Sequence, residues 1–153
     1  LLKIQLGDIN TDRNSITIYE KGSTTREQPI TEELMNSLIA FAKSRGAKKN
    51  EDSVFRYLPD ENGFGKPLTA RRFDTLWGRI GKELDWVAQK GVSCHWLRHT
   101  TLTWVDRAFN QSVARAYAGH SAGNVTDGYT TSTQEEIVEA HAVITGKKPK
   151  INH

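Results

Sequence analysis

Residues 95–104 read HWLRHTTLTW, with two histidines and an arginine inside the first five positions. On a helix, His95, Arg98 and His99 stand at i, i+3 and i+4, so their heads emerge on one side. Leu97, Thr101 and Trp104 fall on the opposite side, which is expected to face a core. Packing alone gives no reason for such a clustered set of polar heads. The pattern predicts a helix buried along its back and turned toward an anion along its front.

Working outward, helical spacing continues on both sides. From Thr69 to Gln89, Phe73, Leu76, Trp77, Ile80, Leu84 and Val87 recur at helical intervals, predicting one long amphipathic helix. After the central helix, which is expected to run to about Phe109, SVARAYAG (112–119) forms a short one. TQEEIVEAHAVITG (133–146) forms the last, with Thr133 and Glu136 at capping-box spacing and Gly146 as its stop. Earlier, the segment from Thr31 to Gly46 places Leu34, Leu38 and Phe41 on one stripe, behind acids in its first turn. Asn50–Pro67 reads as loop with VFRY (54–57) as a short strand. Near the start, SITIY (15–19) alternates in strand fashion and TTREQPI (24–30) returns, with Gly22 supplying the turn and Lys21 at the tip. The expected fold is α+β, mostly α-helical, with a small antiparallel β-sheet near the N-terminus. Trp77, Trp86, Trp104 and Tyr117 are expected in core or helix contacts.

The 153 residues make about one domain, enough for a real core. No apolar run approaches the roughly 20 residues that cross a bilayer, and no signal peptide opens the chain, so an intracellular protein without a membrane partner is expected. The single cysteine, Cys94, excludes an internal disulfide and a cysteine-based zinc site. A net charge of +3, from 21 basic against 18 acidic residues, leans only mildly toward an anionic partner. The basic residues do cluster: Lys43, Arg45, Lys48 and Lys49; Arg71 and Arg72; and Lys147, Lys148 and Lys150.

In YAGHSAGNVTDGYTT (117–131), His120 follows a glycine and Tyr129 comes nine positions later in a polar, glycine-flanked context. Lys21, His95, Arg98, His120 and Tyr129 together supply one nucleophile, one fixed cation and several proton donors. That inventory suits phosphoryl transfer, because a guanidinium stays protonated and grips two phosphate oxygens at once. An ordinary tyrosine is phenolate in only about one part in a thousand at pH 7, so the nucleophile needs activation by cations or a base.

HWLRH, then AGHS, then the tyrosine nine residues on, resembles the catalytic domain of the tyrosine recombinases, or phage integrase family. The resemblance implies a site-specific recombinase in which the tyrosine attacks a DNA phosphate, forming a 3′-phosphotyrosyl bond and freeing a 5′-hydroxyl, with no cofactor consumed. Position by position, it makes Tyr129 the nucleophile and Arg98 the second of two phosphate-gripping arginines. His95 assists proton transfer at the tyrosine, His120 donates to a nonbridging oxygen, and His99 supports. Lys21 on the hairpin resembles the family's general acid for the leaving 5′-oxygen.

The resemblance runs from LGDI (6–9) to Gly146, giving a catalytic domain over 1–146 and a basic tail over 147–153. It implies double-stranded DNA as partner, other protomers in a synaptic tetramer, accessory DNA-bending proteins and a bacterial or phage-encoded, nucleoid-associated location in the cytoplasm. The helix of Ile137, Ala140 and Ile144 is expected either to pack on a neighbouring protomer or to fold back on its own domain. The family's first catalytic arginine is expected upstream of Leu1, together with a DNA-clasping domain. Without that contact, cleavage is expected to lose about 3 to 4 kcal/mol of transition-state stabilisation.

Two rivals stand beside this reading. His95 and His99 imitate the H-E-x-x-H zinc helix, but Trp96 occupies the place of its glutamate. A catalytically silent DNA-binding module would keep the fold and use contacts only.

Overall fold

The computed structural model describes residues 2–19, 24–119 and 133–147. Strands β1 (Ile9–Asn10), β2 (Ser15–Tyr19) and β3 (Thr25–Pro29) form an antiparallel sheet in the order β1-β2-β3. Six helices follow: α1 (Glu32–Ser44), α2 (Ala70–Glu83), α3 (Asp85–Gln89), α4 (Cys94–Ala108), α5 (Gln111–Ala118) and α6 (Gln134–Thr145). The architecture is α+β and mostly helical, as the sequence implied.

The two expected strands pair, with Ser15 opposite Pro29 through Tyr19 opposite Thr25. Lys21 and its turn lie outside the described residues. Proline at the end of β3 suits an outer strand, where a missing N–H breaks no inner ladder.

Helix α1 begins where Thr31 accepts a hydrogen bond from the Leu34 amide at 3.2 Å, and Glu32 and Glu33 face the positive end of the helix dipole. Its buried stripe is shifted by one position from the expected one. Met35 and Ala42 are buried and Leu38 and Ile39 pack partly, whereas Leu34 stands outside. The sheet sets this phase, because Ile4, Ile16, Ile30 and Val54 meet Met35 and Ala42 in one cluster.

VFRY does not form a strand. Val54 N donates to the Ile4 carbonyl and Tyr57 N to Lys66 O, both at 2.9 Å, leaving isolated bridges rather than a ladder. The interruption has a cause in Arg56. Its side chain turns inward, only 3% exposed, and donates to Ser53 O at 2.9 Å, Gly65 O at 2.7 Å and Asp52 Oδ1 at 2.8 Å. The same loop closes on Gly46, whose φ of +86° and near approach to Gly63 O leave no room for a side chain.

The long helix expected over 69–89 is two helices. The chain breaks at Leu84, with φ −130° and ψ 95°, and α3 folds back so that Ala88 lies against Gly81. The missing Cβ of Gly81 permits that approach. Among the described side chains of this pair only Val87 is buried, and Leu76, Leu84 and Trp86 remain exposed.

A second cluster holds α4, α5 and α6 together through Val105, Val113, Ala114 and Ala140, with Phe109, Tyr117 and Ile144 against it. Fully burying one valine contributes about 1.5 to 3 kcal/mol. Helix α6 opens with the expected capping box, Glu136 N to Thr133 Oγ1 at 3.3 Å and Thr133 N to Glu136 Oε2 at 2.8 Å, and closes at Gly146 with φ +70°. It packs on its own chain. Gln134 Nε2 also donates to the Glu27 carbonyl of β3 at 3.3 Å, and Lys147 pairs with Glu33. Helix α6 thereby joins the helical cluster to the sheet.

Candidate active site

Helix α4 starts one turn after Gly91, whose φ of +59° ends α3 and lets Val92 N bond back to Val87 O at 3.0 Å. Ser93 takes the extended N-cap conformation, and its carbonyl receives Trp96 N at 3.0 Å. Cys94 is exposed, and its Sγ accepts from Trp77 Nε1 at 3.1 Å, which ties α2 to the beginning of α4.

His95, Arg98 and His99 are all exposed on α4. The two imidazoles meet edge to face with centroids 4.3 Å apart, and their Nε2 atoms are separated by 2.7 Å. At that distance one Nε2 carries hydrogen and the other accepts. Arg98 reaches across to α5, where its Nη2 donates to the Ala118 carbonyl at 2.5 Å. That oxygen belongs to the last turn of α5, whose carbonyls have no partner further along the helix, and a cation there also offsets the negative end of the dipole. Gly119, with φ +73°, caps α5 immediately after.

The back of α4 differs from expectation. Val105 is buried and Leu102 partly so, but Leu97 and Trp104 are 57% and 55% exposed and Trp96 is 46% exposed. The burial axis is set by α5 and α6, which cover the Val105 side, and Trp96 and Trp104 lie off that side and stay about half exposed. Trp86 is likewise exposed, and Trp77 is half-buried. Two open cavities flank His99. One of about 240 Å³ runs between α4 and α5 past Asp106 and Arg115, and one of about 360 Å³ is walled by Trp96, Thr100, Thr103 and Trp104.

His120 and Tyr129 lie outside the described residues, as does Lys21. The structure therefore brings together His95, Arg98 and His99 of the predicted set. The other tyrosines are ill-suited to nucleophilic attack. Tyr117 hydroxyl lies 3.1 Å from His141 Nδ1 with the rings stacked, and burial raises its pKa, opposed by the charge of Arg26. Tyr19 donates to Asp8 Oδ1 at 2.9 Å, and that bond and the carboxylate's charge hold its pKa up. Tyr57 sits at the loop edge with its hydroxyl 3.4 Å from Thr69 Oγ1.

His141 is a packed structural histidine, 5% exposed, with its pKa lowered by burial. Among the described residues its Nε2 has no partner. A neutral ring donating Nδ1–H to Tyr117 leaves only a lone pair there, which is the cheaper group to bury.

The sequence reading singled out Arg71 and Arg72 but missed how far their stripe extends. On α2, Arg71, Arg72, Arg79 and Lys82 are all exposed and fall within one side of the helix, opposite Trp77 and Ile80. A helical projection of residues 70–83 would have found it.

The model of the phage integrase family matches residues 1–136. This chain belongs to the phage integrase family. The comparisons with curated proteins and with solved structures gave no match. Among the described residues no helix is long and apolar enough to cross a membrane, and no three His, Cys, Asp or Glu side chains are grouped to hold a metal.

Proposed function

We propose that this integrase-family chain is the catalytic domain of a site-specific DNA recombinase, spanning residues 1–146, and that it cleaves and rejoins strands through Tyr129. The observation that carries the reading is the anchoring of Arg98. Its bond to Ala118 O holds the guanidinium side of α4 against the end of α5, two residues in sequence before His120.

In the proposed step the Tyr129 oxygen attacks phosphorus, its proton passes toward His95, and the bond from phosphorus to the 5′-oxygen breaks. Lys21 protonates that oxygen. Arg98 and His120 hold the nonbridging oxygens, where negative charge accumulates. Religation reverses each transfer, so no energy source is consumed. His99 acts through His95 by fixing its ring, since the two Nε2 atoms share a hydrogen. The basic stripe of Arg71, Arg72, Arg79 and Lys82 supplies contacts to the phosphate backbone of double-stranded DNA, which fix register without reading sequence. Other protomers complete a synaptic tetramer, with accessory DNA-bending proteins, in the cytoplasm at the nucleoid.

The test is a nicked suicide duplex carrying the cognate site, which traps a covalent protein–DNA adduct. The adduct is expected with the full-length protein, is lost in Tyr129→Phe, and falls by about two to three orders of magnitude in rate in Arg98→Ala. Salt-sensitive DNA binding without any adduct would establish the silent module instead.

A further inference from the structure

We propose that His95 and His99 form a two-histidine site for a divalent first-row transition ion of the nickel or copper type. Both side chains are exposed on consecutive turns of α4, and their Nε2 atoms converge to 2.7 Å. An ion about 2.05 Å from two imidazole nitrogens at right angles leaves those nitrogens about 2.9 Å apart, whereas a tetrahedral angle needs about 3.4 Å. The pair is thus already spaced for two neighbouring positions of a square-planar or octahedral ion, the geometries of Cu²⁺ and Ni²⁺. Tetrahedral zinc would require the rings to spread.

Arg98, between the two histidines in sequence, donates from its Nη2 to the Ala118 carbonyl of α5. Among the described residues no third His, Cys, Asp or Glu is grouped with the pair, so within them the ion's other positions are open to water. The open cavities on either side of His99 leave space for those waters. Binding replaces the shared hydrogen between the rings with the ion and occupies both Nε2 atoms at once. On the catalytic reading above, the ion is consequently a reversible inhibitor of strand cleavage, but its binding does not depend on that reading.

The test uses untagged protein. Calorimetric titration with nickel sulfate should give one ion per chain, with affinity reduced at least about tenfold in His99→Gln and again in His95→Gln. His153→Gln should bind as the unaltered chain does. In the unaltered protein, substoichiometric Cu²⁺ should broaden the amide resonances of residues 93–103 before any others, a readout that needs no variant. Nickel affinity unchanged in a folded His99→Gln, broadening that begins elsewhere, or zinc bound more tightly than nickel would each overturn the site. Strand-cleavage assays with and without the ion then test the inhibition separately.

Discussion

The sheet with α1 and the outer face of α4 treat their large side chains in opposite ways. In the first region Ile4, Ile16, Ile30, Met35 and Val54 are buried together, and even the charge of Arg56 is taken inside and bonded to three oxygens. On α4, Trp96, Leu97 and Trp104 stand in solvent, while Thr100, Thr101 and Thr103 turn their hydroxyls back to their own helix carbonyls at 2.9–3.0 Å. The first region is built to hold its shape. The second leaves apolar area and two imidazoles available, as a surface that meets a large partner does.

The strongest way to break this contrast is to remove the buried charge from the rigid side. Arg56→Met leaves the carbonyls of Ser53 and Gly65 without their donor and deprives the Asp52 carboxylate of its cation. Losing one partner of a buried pair costs about 3 to 5 kcal/mol. The lower end applies here, because Asp52 is partly solvated and keeps the Lys48 and Lys49 amides as donors. Urea unfolding should register a loss of about 3 kcal/mol. A change under about 0.5 kcal/mol, the range of ordinary surface substitutions, would mean that the loop is not the keystone its bonding implies.

On the helical side the same test falls at Val105, which joins α4 to α5 and α6 and is fully buried. Val105→Ala should cost about 2 kcal/mol, from lost transfer energy and an unfilled space. Protease sensitivity near α6 that appears in this variant before global unfolding would place the weakest seam at that cluster.

Much of this division is readable in the chain, and the exceptions have physical causes. Alternation in SITIY specifies β2 locally, and Thr133 with Glu136 specifies the start of α6, because each needs only near neighbours in sequence. The phase of α1, the break at Leu84 and the inward turn of Arg56 depend on what packs against them. So does the exposure of Trp86 and Trp104, which composition alone would have buried. At the site, the i, i+4 spacing of His95 and His99 already implied contact. The tether from Arg98 to Ala118 O spans 20 residues and joins two helices, and no local pattern encodes it. Sequence spacing remains the support for Lys21, His120 and Tyr129.

A smaller effect comes from His141, whose imidazole is buried beside the helical cluster. Burial lowers the pKa of His141 below its ordinary 6.5, so the unfolded chain binds a proton more readily than the folded one. The groups facing it are Tyr117 on α5 and, through Tyr117, Arg26 of β3. Its stabilising contribution is complete above about pH 6.5 and declines as pH falls through the lowered folded value. Denaturation midpoints measured across that window should fall on acidification, and His141→Gln should flatten this part of the profile. An unchanged slope in the variant would show that the ring does not carry the effect.

The smallest change in stability is expected where the side chain is largest. Trp104→Gln removes an indole that is 55% exposed and lies outside the Val105 cluster. A surface position of this kind should move unfolding by no more than about 0.5 kcal/mol. In the sheet region the exposed large hydrophobic side chains are Tyr19, whose hydroxyl is bonded to Asp8, and Leu34 on the outer side of α1, and neither is an indole. If Trp104→Gln instead costs as much as Val105→Ala, the indole is part of the packed interior in solution and the contrast between the two regions collapses. If stability holds while association with DNA or with a second protomer weakens, the exposed face of α4 is being retained for contact, and its apolar area is explained by binding rather than by folding.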